Sequence, residues 1–195
     1  APFGWLLIGL WQKFTGGPFT FGFSLHSSRI FIAILVSITN VLLYQLVKHL
    51  TKNPRLALFS SFLFSFTPLN LIYHRQVLLD NIETLWLVLS LLFLFKAKKQ
   101  SLYFLASGIF FGLAFLSKEI VIVLLPVMLL GLWRESKAEN QLHSRFLWLS
   151  SAGFLISLFP LLAILKGELL PRPDITNPVS LLGTIIFQLS RGSPL

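Results

Sequence analysis

The densest group of residues able to do chemistry is Tyr73-His74-Arg75-Gln76, followed by Leu79-Asp80-Asn81-Ile82-Glu83, set between long apolar runs. Ionisable groups at the edge of membrane-length apolar runs are costly, so they mark function and call for a partner. Arg75 is expected to pair with Asp80: the guanidinium grips a phosphate through two parallel hydrogen bonds, and the carboxylate orients it or meets a sugar hydroxyl. A plainer reading makes Asp80 and Glu83 the capping box of a helix beginning near Asn81. That reading leaves His74 and Arg75 unexplained. Ser117-Lys118-Glu119 interrupts two further apolar runs, and a lysine beside a helix N-terminus suits an anionic group at the membrane surface. Its plainer reading is a hairpin tip, with Ser117 as cap and Glu119 favoured by the helix dipole. Arg29 opens another apolar run and reads either as a further anion contact or as a side chain snorkelling at a span end.

Other chemistries find no support. His26, His49, His74 and His143 lack the i, i+4 spacing of a helix-borne metal site, so no protein-built metal centre is expected. With no cysteine there is no disulfide framework, thiolate ligand or thiol nucleophile. No glycine-rich phosphate loop and no Gly-x-Ser-x-Gly elbow occurs. These residues assign no cofactor and leave dependence on a divalent metal open.

The elements that must carry the polar groups are apolar helices. Of 195 residues, 55% are hydrophobic and 12% charged, against roughly 25% charged in a globular domain. A cytosolic enzyme, a disordered tail and a soluble nucleic-acid module are thereby excluded. A transmembrane helix needs about 20 apolar residues. Ile30 to Val47 and Phe146 to Leu165 meet that need, and Leu56 to Ile72 sits at its lower limit. Thr84 to Phe95, Leu102 to Leu116 and Ile120 to Trp133 reach spanning length only with flanking residues. The fold expected is all-α and polytopic, with about six transmembrane helices and partial helices at Phe3 to Trp11 and Val179 to Leu189. Residues 1–195 form a single transmembrane domain. Pro68, Pro126 and Pro160 should bend spans locally. Gly16 to Pro18 reads as a turn and Leu170 to Pro178 as a loop.

The net charge of +9 follows the spans and forms no stripe for nucleic acid. One set of connections carries Lys48, Lys52, Arg55, Lys96, Lys98, Lys99, Arg134, Lys137 and Arg145 against Glu135 and Glu139. The other carries Lys13, Arg29, Arg75, Lys118, Lys166, Arg172 and Arg191 against Asp80, Glu83, Glu119, Glu168 and Asp174. The first set is cytoplasmic by the positive-inside rule. Chemistry is then expected on the outer face, where most of the acids are.

The ordered set Pro2-Phe3-Gly4-Trp5, Phe14-Thr15-Gly16, Arg29 opening a span, Thr51-Lys52-Asn53-Pro54-Arg55, Arg75 with Leu79-Asp80-Asn81, and Leu116-Ser117-Lys118-Glu119 resembles the N-terminal half of glycosyltransferase family 39 over about residues 1–133. That family holds the dolichyl-phosphate-mannose protein mannosyltransferases and related bacterial transferases. The resemblance implies a type C glycosyltransferase fold and transfer of a sugar from a polyprenyl-phosphate carrier to an acceptor protein, lipid or glycan on the non-cytoplasmic face. The family's catalytic base is an Asp in the first outer loop, upstream of a Pro-Pro segment; here no Asp or Glu precedes Asp80. The chain begins with Ala1 and no basic region precedes its first apolar stretch, so a fragment of a longer chain is expected, inactive alone, with its base upstream of Ala1. Asp80 then has a supporting role, Arg75 and Lys118 bind the donor phosphate, and His74, Asn81, Glu83, Glu119 and Arg29 are further site candidates. The partners implied are the carrier-linked sugar, the lipid bilayer and the acceptor. The membrane is the inner (cell) membrane, or the endoplasmic reticulum if the source is eukaryotic. Two alternatives stand beside this one. A secondary transporter or flippase would place its charges near the midplane, where this chain offers only Thr39, Asn40 and Gln45. A non-catalytic membrane subunit would use its outer charges only as caps.

Overall fold

The computed structural model describes residues 2–97, 100–136, 141–165 and 167. Among these, every regular element is helical: α1 (Pro2–Phe14), α2 (Ser24–Thr51), α3 (Pro54–Phe66), α4 (Pro68–His74), α5 (Leu79–Lys96), α6 (Ser101–Ser117), a 3-10 helix (Glu119–Leu124), α7 (Leu125–Glu135) and α8 (Gln141–Leu165). The expected Val179 to Leu189 helix and Leu170 to Pro178 loop lie outside the described residues.

Two helices, Leu25–Thr51 and Leu142–Leu165, are long and apolar enough to cross a membrane, and α3 with α4 forms a third candidate bent by 63°. Six spans were expected. The remaining helices fall short for identifiable reasons. Asp80, Glu83 and Lys96 all lie within α5, α6 has only 17 residues, and the run after it is split between the 3-10 helix and α7. The bend between α3 and α4 lies at Thr67. Pro68 has no N–H to continue α3 and starts α4 as its first residue. Pro126 likewise sits at the start of α7, whereas Pro160 lies inside an unbroken α8.

Local sequence explains the other boundaries. Lys52 takes a left-handed conformation (φ 58°) at the end of α2, and its N–H reaches Lys48 O. One residue on, Asn53 Oδ1 accepts from the N–H groups of Arg55 (3.0 Å) and Leu56 (3.3 Å), with Pro54 at the first helical position. Stop and start signals so close together fold α3 back along α2. Gly16 and Gly17, at φ 90° and 121°, turn the chain between α1 and α2 in a conformation that a side chain would strain.

Small residues hold α5, α6 and α8 together. Ser90 Oγ donates to Ser107 O (2.8 Å), Ser107 Oγ donates to Ser90 O (2.9 Å), and Trp148 Nε1 of α8 donates to Ser107 Oγ (3.1 Å). All three residues are fully buried. A Cβ on Gly108 would lie 2.6 Å from Trp148 O, and one on Gly112 would lie 2.5 Å from Leu155 Cβ. Close backbone approach through small residues, with hydrogen bonds across it, is how helices associate in lipid, where no hydrophobic drive separates helix from solvent. Phe111, Ala114, Met128, Leu132 and Trp148 fill the core around this contact.

Helix α1 is laid against the ends of the others. Trp11 Nε1 donates to Ser27 O (2.9 Å) and Gln12 Nε2 to Ser28 Oγ (2.9 Å) at the head of α2. At its other end, a Cβ on Gly4 would lie 2.6 Å from Leu79 Cδ2 and 3.5 Å from Ser117 O. It therefore roofs the head of α5 and the end of α6, where the polar residues are.

Candidate functional site

The polar segments singled out in the sequence converge at this roofed end. Lys118, just past α6, places Nζ 2.5 Å from Asp80 Oδ1 in the first turn of α5. Asn81 Nδ2 donates to Tyr73 O (3.1 Å) and Gln76 O (3.3 Å), tying the end of α4 to the head of α5. Glu83 lies within electrostatic reach of Lys118, Asp80 and Glu119. Asp80 thus holds the one lysine, and Glu83 and Glu119 add two more acidic side chains, so acids outnumber bases at this corner.

These placements correct three expectations. Asp80 is not paired with Arg75, because its carboxylate turns across to Lys118. It is not a helix cap either: α5 begins at Leu79, the residue before it is Leu78, and no side chain caps the helix. Ser117 caps nothing, since its hydroxyl donates back to Leu113 O (2.8 Å) inside α6.

Arg75 faces another neighbour. With Arg29 at the head of α2 it lines an open cleft of about 570 Å³, completed by Ala33, Ile72, His74 and Gln76. Both arginines are exposed, and neither makes an ion pair or hydrogen bond among the described residues. Two unpaired guanidiniums on one cleft favour an anion, and each offers a planar fork for phosphate oxygens.

Behind the cleft, on the other side of His74, is a smaller cavity of about 240 Å³. Val36 and Thr39 of α2, Phe64 of α3, Leu69, Asn70, Tyr73 and His74 of α4, and Asp80, Asn81 and Thr84 of α5 line it. The bend at Thr67 carries α4 across the top of α2 and so forms one of its walls. The His74 ring lies 5.0 Å from that of Phe64. No group of three or more metal-ligating side chains occurs among the described residues.

Of the residues expected at a site, the structure brings Arg29, His74 and Arg75 to the cleft, and Asp80, Glu83, Lys118 and Glu119 to the acidic corner. His74, Asp80 and Asn81 line the cavity between. Asn70 and Thr84 were not foreseen as lining residues, and Thr39 was expected only as a midplane residue of a transporter. The signal was present: Asn70 lies four residues before His74 and Thr84 four after Asp80, the spacing that puts two side chains on one helix face.

Residues 17–164 match the family described as dolichyl-phosphate-mannose-protein mannosyltransferase. The match begins in the turn after α1 and runs through nearly all of α8, farther than the motif resemblance over residues 1–133. No curated protein and no solved structure matches the chain.

Proposed function

Since the chain belongs to the dolichyl-phosphate-mannose-protein mannosyltransferase family, we propose that it is a membrane glycosyltransferase taking a sugar from a polyprenyl-phosphate carrier on the non-cytoplasmic face. The observation that carries this reading is the pair of unpartnered arginines, Arg29 and Arg75, on one cleft beside the polar cavity. The acceptor is a protein, lipid or glycan hydroxyl or amine. It forms a bond to the sugar's anomeric carbon, the bond from that carbon to the phosphate oxygen breaks, the carrier phosphate leaves with the electron pair, and the proton that the acceptor loses ends on the released phosphate. Cations already in place where that charge builds lower the barrier. Arg75 with Arg29 fills this role. Lys118 does not, because Asp80 neutralises it and acids outnumber bases around it. Asp80 has a supporting part, fixing Lys118 and bordering the cavity.

In the same reading α5, α6 and the 3-10 helix with α7 cross the bilayer too, making six spans in one domain. Support comes from the packing of α5 on α6 and of α6 on α8, and from the basic connections that alternate with the site end. The membrane is the cell membrane, or the endoplasmic reticulum in a eukaryote.

The test is binding of a bare polyprenyl phosphate to the full-length protein in lipid nanodiscs. Arg75→Ala and Arg29→Ala should each weaken it by roughly tenfold or more, and Arg75→Lys should recover only part of the loss because lysine lacks the planar fork. Unchanged binding in both alanine variants removes the phosphate from this cleft.

A further inference from the structure

We propose that the 240 Å³ cavity is the subsite for the donor's sugar ring, a step that rests on placing the carrier phosphate in the neighbouring cleft. Size is the first argument. Pockets for drug-sized ligands start at about 300 Å³, so this cavity suits one small polar ring and not an oligosaccharide.

The second argument is the polarity of its lining. Asn70 Nδ2 donates to Phe64 O (3.0 Å), and both donations from Asn81 Nδ2 go to main-chain carbonyls. Thr39 donates its hydroxyl to Leu35 O (2.8 Å) and Thr84 to Asp80 O (2.7 Å). The Asn81 amide and the two threonine hydroxyls have spent their protons on the backbone, whereas one Asn70 N–H, the Tyr73 hydroxyl and the His74 ring remain to the cavity as donors. Most of what the walls offer an occupant is acceptors: the two amide oxygens, the lone pairs of two threonine hydroxyls and the Asp80 carboxylate. A lining dominated by acceptors calls for a ligand rich in O–H donors, and a sugar ring, whose hydroxyls also accept from the remaining N–H and O–H groups, is one. A cation is the other such ligand, but Lys118 already satisfies Asp80 and Arg75 stands at the adjoining cleft.

The third argument is position. The cavity adjoins the arginine cleft through His74 and meets the acidic corner through Asp80. Cleavage of a glycosyl phosphate makes the phosphate more negative and the ring more positive, in the manner of an oxocarbenium ion. A ring held here has cations on the side of its leaving group and carboxylates on its own side.

The experiment compares two probes on the full-length protein: polyprenyl phosphate and polyprenyl-phosphate mannose of the same chain length. Asn70→Leu, which removes an acceptor and fills space, should weaken the mannosylated probe by roughly tenfold and leave the bare phosphate unchanged. Thr84→Val, nearly equal in volume, should act in the same direction and serves if the leucine variant fails to fold. Equal loss for both probes, or loss for neither, overturns the sugar subsite. The arginine variants separate this failure from that of the phosphate reading: if the subsite alone is wrong, Arg29→Ala and Arg75→Ala still weaken both probes.

Discussion

Lys118 Nζ lies 2.5 Å from Asp80 Oδ1, although 38 residues separate the two in the chain. The register that permits this is set farther along the same helix pair, at Ser90 and Ser107. Asp80 is ten residues from Ser90 along α5, and Lys118 eleven from Ser107 past α6; at 1.5 Å per residue both stand about 15 Å from the reciprocal serine contact.

The Asp80–Lys118 pair is too exposed to add much stability. Its side chains are 44% and 35% exposed, and exposed pairs contribute about 0.2–1 kcal/mol. Asp80→Asn and Lys118→Gln should therefore each cost under about 1 kcal/mol in thermal unfolding while lowering sugar transfer by roughly tenfold or more. Exchanging the two residues should recover stability and not activity. An Asp80→Asn variant with wild-type transfer would remove Asp80 from the site.

Residues 1–195 contain no cysteine, so a cysteine introduced among them reports topology once any elsewhere in the chain is replaced. Thr20→Cys, in the turn before α2, should react with a membrane-impermeant maleimide in intact cells, whereas Gln100→Cys, between α5 and α6, should react only after permeabilisation. Labelling of Gln100→Cys from outside would invert the assignment of faces.

Enlarging Gly108 tests the α6–α8 contact. Even an alanine methyl would meet Trp148 O at 2.6 Å, and overpacking of this kind costs about 1–3 kcal/mol. Gly108→Ala should lower the unfolding temperature clearly more than Gly153→Ala, since nothing lies within 4 Å of a Cβ on Gly153. Equal shifts in the two variants would mean that the helices are not in this close contact.

Gly4 makes a similar test of the roof. The nearest obstacle to a Cβ there is the tip of Leu79, with Ser117 O behind it at 3.5 Å. Alanine should be accommodated by a shift of the leucine, whereas Gly4→Val should lift α1 from the head of α5 and reduce transfer with little change in global stability. A fully active valine variant would separate α1 from the site.

Local signals carried much of this architecture into the sequence. The α2–α3 turn follows from Lys52-Asn53-Pro54, the bend from Pro68, and the apolar helices from run length alone. The pairing of charges did not follow. Arg75 and Asp80 are five residues apart and of opposite sign, which invites pairing them, but Leu78 and Leu79 start a helix between them that turns Asp80 toward α6. The true partner depends on the register of α5 against α6, fixed by Ser90, Ser107 and Trp148. Each of the three looks like an ordinary span residue until the helices are side by side. Thr39 likewise reads as a polar interruption of α2, because the cavity it borders is made by a bend in another helix.

The break at Thr67 also bears on how a lipid-borne ligand is handled. A straight span would have closed the flank of α2 along its whole length, whereas the 63° turn leaves the arginine cleft edged by Ala33 and Ile72, both exposed apolar residues. On the function proposed above, a carrier would dock by drifting sideways in its leaflet, its headgroup engaged and its tail never drawn out of the hydrocarbon. Pulling ten methylenes into water would cost about 8 kcal/mol, as much as a micromolar affinity supplies. Encounter would then be a two-dimensional search, governed by the carrier's density in the leaflet and not by its concentration in bulk solution.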